Sequence, residues 1–183
     1  MSIKSLTIYC SSSDKLDEKY YKLAKKIGQF LAKKSIKIIY GGGNTGLMGK
    51  VSQSAFNNGG EVIGIIPEFL INKEKKSNNT NETIVVESMT ERKNRLYNMG
   101  DAFLVLPGGS GTLEELTEII SWKFLGLHNK KILIFNYNNY WDELFEIYQK
   151  SKDNNFGNKN LQSICEHIRT LEEFKNYFHN DKN

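Results

Sequence analysis

Ala102-Phe103-Leu104-Val105-Leu106-Pro107-Gly108-Gly109-Ser110-Gly111-Thr112-Leu113-Glu114-Glu115-Leu116 changes pattern twice along its length. Residues 102–106 are continuously apolar, which reads as a strand buried on both faces. Pro107 ends the run because it donates no backbone N–H. Glycines follow, and from Leu113 to Leu125 apolar residues return at helical spacing. Strand, glycine loop and helix in this order form the front half of a strand–helix–strand unit, the building block of parallel α/β sheets.

The alternation extends in both directions. Apolar runs at Ser5–Tyr9, Lys37–Tyr40, Glu61–Ile66, Thr83–Glu87 and Lys131–Asn136 predict further strands, and the run above predicts one over Ala102–Leu106. Helical spacing predicts helices over Leu16–Lys34, Ser52–Asn57, Glu91–Met99 and Tyr140–Lys150. A weak strand falls near Ile164–Ile168. Thr170, with Glu173 three residues on, then opens a last helix through Phe178 as a capping box. The expectation is an α/β fold: a doubly wound parallel sheet of about six or seven strands with helices on both faces, one domain over residues 1–183. Polar Lys73–Asn81 reads as a mobile loop.

Composition narrows the class. The 183 residues are 39% hydrophobic and 25% charged, a globular balance. No run nears the roughly 18 apolar residues of a membrane span, and the N-terminus lacks a signal-peptide layout. Cys10 and Cys165 are too few for a disulfide framework and are not spaced for zinc, so a reducing cytoplasm is expected. The net charge of +4 rests on lysine, since arginine occurs only at Arg92, Arg95 and Arg169. The lysines interleave with acids, as in Lys15, Asp17, Glu18 and Lys19. That describes a solvated surface rather than a nucleic-acid face, and neither a nucleic-acid nor a membrane partner is expected.

Ligands of parallel α/β sheets bind outside the carboxyl ends of the strands. Eight of the fifteen glycines stand in two such loops. Gly41-Gly42-Gly43-Asn44-Thr45-Gly46-Leu47-Met48-Gly49-Lys50 contains GxGxxG but follows the second strand, and no acid closes the next one, as a dinucleotide fingerprint requires. The phosphate-loop pattern fails too, with Val51 where Ser or Thr is needed. A plain turn and a nucleotide-contacting loop both fit. Gly108–Thr112 reads more directly. Glycines let successive amides turn toward one point, the helix start adds partial positive charge, and Thr112 adds a hydroxyl; together these make an anion cradle. Glu115 either complements the helix dipole or places a carboxylate beside the bound group. Glu114 points away around the helix, and Glu118 shares the Glu115 face. Met89-Thr90-Glu91-Arg92-Lys93-Asn94-Arg95 gathers two of the three arginines, either a fork for phosphate or carboxylate or a solvated helical turn. If the fourth and fifth strands are neighbours, Arg92 and Lys93 face the Glu115 loop.

These three motifs, in this order, resemble the Lonely Guy family, the cytokinin riboside 5′-monophosphate phosphoribohydrolases, long labelled lysine decarboxylases. The likeness runs from Tyr9-Cys10 to about Leu144. It implies a Rossmann-like fold and hydrolysis of the N-glycosidic bond of a nucleoside 5′-monophosphate, AMP or an N6-substituted adenine ribotide, to free base and ribose 5-phosphate. No cofactor or metal is implied. By the resemblance Arg92 and Glu115 are catalytic. Lys93 and the cradle Gly109, Ser110, Gly111 and Thr112 bind substrate, with further contacts from Gly43, Gly46, Met89, Ser121 and Glu74. A homodimer is also implied, with Ile119–Leu125 the candidate interface. The chain departs from the family at Thr90, where histidine is usual, at Ser11, where glycine is usual, and at Ser110, where an aromatic is often found.

The residues suit that chemistry. Breaking a ribose C–N bond builds positive charge on the sugar, and a carboxylate can stabilise that charge, activate water or hold the ribose hydroxyls. Other classes ask for other features. A non-catalytic nucleotide carrier or sensor needs the glycines but not both Arg92 and Glu115. A lysine decarboxylase needs a Schiff-base lysine in a pyridoxal site, which no lysine here recognisably occupies. A nicotinamide oxidoreductase needs the fingerprint that the first glycine loop lacks.

Overall fold

The computed structural model describes residues 3–71, 78–157 and 161–180. Within them, seven parallel strands form one sheet: β1 (Ser5–Tyr9), β2 (Lys37–Tyr40), β3 (Val62–Pro67), β4 (Glu82–Val86), β5 (Ala102–Val105), β6 (Lys131–Phe135) and β7 (Glu166–Ile168). Their spatial order is β4-β3-β2-β1-β5-β6-β7. Among the described residues six α-helices join them: α1 (Glu18–Lys33), α2 (Gly46–Phe56), α3 (Met89–Met99), α4 (Ser110–Phe124), α5 (Asp142–Asp153) and α6 (Leu171–Asn180).

Side chains of the inner strands alternate between two apolar layers. Leu6, Ile8 and Leu104 pack with Leu23, Ile27, Val51 and Phe174 beneath α1, α2 and α6. Tyr9, Phe103 and Val105 pack with Leu96, Leu116 and Ile120 beneath α3 and α4. Burial on both faces is why these strands read as unbroken apolar runs. The edge strands β4 and β7 are less covered, with Val85 of β4 47% exposed and two of the three β7 residues only partly buried.

From β1 the chain winds outward to β4, then crosses back to β5 on the other flank of β1. The carboxyl ends of β1 and β5 therefore border the point where the winding reverses, the usual ligand crevice of such sheets. The fourth and fifth strands are not neighbours, contrary to the condition above, since β3, β2 and β1 lie between them. Arg92 still approaches the β5 loop because α3 runs back across the sheet, where its side chain meets the Ile65 carbonyl of β3.

Helix starts explain the shifted boundaries. Asp17 accepts the Lys19 amide at 2.9 Å ahead of α1. Ser88 accepts the Glu91 amide at 3.1 Å, so α3 begins at Met89 rather than Glu91. Helix α2 begins at Gly46, well before the expected Ser52, its first turns hidden by glycines that weaken the helical signal. Thr170 accepts the Glu173 amide at 3.1 Å as expected, while the Glu173 carboxylate accepts from Arg169 rather than from Thr170 itself. The mobile-loop reading of Lys73–Asn81 falls largely outside the described residues. No described helix is long and apolar enough to cross a membrane.

Candidate active site

A cavity of about 300 Å³ opens at the carboxyl ends of β1 and β5. The segment Cys10–Ser13 and Met48 line one side, and Gly109–Thr112, the start of α4, lines the other. Arg92 and Glu115 complete the lining.

Arg92 is only 7% exposed. Its Nε donates to the Ile65 carbonyl at 3.3 Å and its Nη2 to the Gly41 carbonyl at 3.5 Å. Nη1 lies 3.6 Å from Glu115 Oε1. Gly41 makes the arrangement fit, because a β-carbon there would overlap the guanidinium. Tyr9 packs beneath, stacked on Phe103 at 5.9 Å between centroids. Burial, then the carboxylates of Glu115 and Glu118, push its phenol well above the usual range, so it remains neutral.

The start of α4 is open in a way the other glycine loop is not. Its N-cap Gly109 offers no side chain, and no acid stands in its first turn. The Pro107 carbonyl accepts from the Ser11 amide at 3.1 Å, and the Gly108 carbonyl accepts from the Tyr140 hydroxyl at 2.7 Å. A trans peptide aims its N–H opposite to its C=O, so both bonds turn the following amides away from those partners. Thr112 is buried, and a β-carbon on Gly108 would overlap its hydroxyl. At α2, by contrast, the Gly46 amide donates to Asp14 Oδ1 at 2.8 Å, and those of Leu47 and Met48 donate to the Ser11 carbonyl at 2.9 and 3.3 Å. Gly46 takes φ +59°, and a β-carbon on it would press into the Ser11–Ser12 backbone. The first glycine loop thus anchors the serine segment beside the cavity.

The other expected site residues are placed as follows. Lys93 Nζ bridges Glu114 at 2.6 Å and Glu118 at 2.9 Å, ties α3 to α4, and has its pKa raised by these two hydrogen bonds. Glu118 thus turns with Glu114 toward Lys93 instead of joining Glu115. Met89 is exposed at the start of α3, and Ser121 is exposed farther along α4. Gly43, Gly46, Met89, Lys93 and Ser121 do not line the cavity; Glu74 lies outside the described residues. Within Ile119–Leu125, Ile119 and Ile120 are buried against this chain's own sheet and present no surface to a partner. Ser12, Ser13 and Met48 line the cavity without having been picked out, and the available signal for the serines was their position directly after β1.

The fold and site define a Rossmann-like α/β protein with an open helix start beside a buried guanidinium paired to a largely covered carboxylate. Residues 48–178 match the family model described as possible lysine decarboxylase. The chain is 38% identical over 153 residues to the rice (Oryza sativa subsp. japonica) protein named probable cytokinin riboside 5′-monophosphate phosphoribohydrolase LOGL6, covering 84% of this chain and 61%, less than two thirds, of the rice protein. It is 39% identical over 147 residues to the cytokinin riboside 5′-monophosphate phosphoribohydrolase of Rhodococcoides fascians, covering 80% of this chain and 74% of that one. The chain belongs to this family, the Lonely Guy family. Its fold also matches the molybdenum cofactor carrier protein of Chlamydomonas reinhardtii, with a TM-score of 0.71 at 15% identity over 97% of this chain and 96% of that one. A pyridoxal-type decarboxylase needs a lysine in its pocket to hold the cofactor, and no lysine lines this cavity among the described residues.

Proposed function

We propose that the chain hydrolyses the N-glycosidic bond of a nucleoside 5′-monophosphate, AMP or an N6-substituted adenine ribotide, to free base and ribose 5-phosphate. The observation that carries this is the 3.6 Å Arg92–Glu115 pair sharing one cavity with the open start of α4. The phosphate sits on the amides of Gly109–Thr112, and the ribose extends toward the pair. As the C–N bond lengthens, positive charge grows at the anomeric carbon. The Glu115 carboxylate stabilises it and accepts a proton from the attacking water. Arg92, held by two carbonyls, keeps that carboxylate oriented and steadies the departing base. Binding energy from the remote phosphate holds the scissile bond at the pair. The names of the two relatives above support the same reading.

Chromatography of products from AMP, other nucleoside monophosphates, adenosine and NAD tests it. Adenine and ribose 5-phosphate should appear in equal amounts from AMP, with none from adenosine. Intact AMP after prolonged incubation would end the proposal. We also propose a homodimer, its contact built on Leu125 and Leu127, which are 71% and 64% exposed. Light scattering should give twice the chain mass, and Leu127→Glu should give a monomer; a wild-type monomer contradicts it.

A further inference from the structure

A second cavity, of about 220 Å³, lies beside the first and shares Ser11 and Gly109 with it. The two therefore meet at the amides proposed to hold phosphate, and their linings differ in kind. The first contains Arg92, Glu115 and several serine hydroxyls. The second is walled by Leu16, Tyr20, Leu47, Pro107 and Tyr140, with no charged side chain in its lining among the described residues. Both tyrosines are held by aromatic neighbours: Tyr20 lies edge-on to Tyr137 at 5.7 Å, and Tyr140 edge-on to Trp141 at 4.9 Å. The Tyr140 hydroxyl is committed to the Gly108 carbonyl, so its ring is what the cavity meets. Burial raises the Tyr140 phenol further from ionisation, with Tyr20 adding to the shift. Sugar and phosphate gain little from such walls, whereas a flat apolar group gains both burial and ring contacts.

We propose that the second cavity is a subsite for an aromatic group carried on the same phosphate, so that the chain accepts 5′-phosphodiesters of its nucleotide. This rests on the proposed phosphate position. A monoester leaves the subsite empty, and a diester spans both cavities with its phosphate at Gly109. Hydrolysis then runs as for the monoester. Water oxygen bonds to the anomeric carbon, the base leaves with the electron pair of the broken C–N bond and takes up a proton, and the phosphodiester stays intact.

The test is calorimetric binding of AMP, its 5′-phenyl ester and its 5′-methyl ester to the full chain. Both esters carry one negative charge, so their comparison isolates the ring. The phenyl ester should bind about tenfold more tightly than the methyl ester, a difference of ~1.4 kcal/mol. Tyr20→Ala removes a wall and Leu16→Trp fills the space. Each should erase that difference while leaving AMP turnover within about twofold, which also reports that the variant is folded. Equal binding of the two esters to the wild type, or a difference that survives both variants, overturns the subsite while AMP hydrolysis stands. AMP that neither binds nor reacts overturns the nucleotide reading and the subsite with it. The wild-type comparison decides even if a variant does not fold.

Discussion

Arg92 occupies a core position, and what admits it is an absence at Gly41. That glycine does not have a positive φ, so alanine there is strained only by overlap with the guanidinium and close approach to the Met48 sulfur. Gly41→Ala should therefore act through Arg92, lowering kcat on AMP by about 10- to 100-fold, the scale of an ångström misplacement at a reacting centre. The double variant Gly41→Ala/Arg92→Ala should be no worse than Arg92→Ala alone, because both changes remove one contact. Multiplying losses in steady-state kinetics would show two separate roles. Glu115→Gln keeps shape and removes charge, so kcat should fall by at least about 100-fold with the melting temperature nearly unchanged. Cys165 belongs to the same scale. Burial pushes its thiol from 9.0 up to about 12. The stabilisation from holding it protonated is full below pH 9 and is lost as pH climbs toward 12, because only the unfolded chain releases the proton there. Denaturant titrations of wild type and Cys165→Ala should differ in slope against pH across that window, and parallel curves would refute the assignment.

The two glycine loops show which part of an element its local sequence declares. Each stands after a strand and before a helix, and each was legible as a turn. What separates them is the partners of their amides. At α2 these are Asp14 and Ser11, about thirty positions upstream, and nothing in Gly41–Gly49 announces them. At α4 the loop's carbonyls are held instead, by Ser11 and by Tyr140 from beyond β6, which turns the following amides away from those partners. The loop's turn was readable because Pro107, Gly108 and Thr112 are local; the tyrosine that holds it was not. Tyr140→Phe keeps the ring and frees the Gly108 carbonyl. It should raise KM for AMP about threefold to tenfold, the loss of one hydrogen bond's worth of alignment, with kcat changed much less. An unchanged KM would show that the loop holds its shape without the phenol.

At the scale of the whole molecule, the alternation of buried runs and amphipathic stretches sufficed for a parallel sheet with two helical layers, because burial on both faces leaves its mark in every inner strand. Strand order left no such mark, and the condition that β4 and β5 adjoin is not met, because a crossover helix can span three strands as easily as one. That long crossover has a functional consequence. It carries Arg92 from the far edge of the sheet to the centre, so the cavity is walled by segments after β1 and β5 and by α2, α3 and α4, drawn from both apolar layers. A ligand bridging them should stabilise the whole domain against global unfolding rather than one local unit. With Glu115→Gln to prevent turnover, AMP or ribose 5-phosphate at about 100 times its Kd should add about 2.7 kcal/mol. For a domain of this size that moves Tm by roughly 5–10 °C in a single transition. Adenosine should shift it far less, because the cradle is the anchor. A shift with adenosine equal to that with AMP would place the binding energy in the base and overturn the cradle as the site's organising feature.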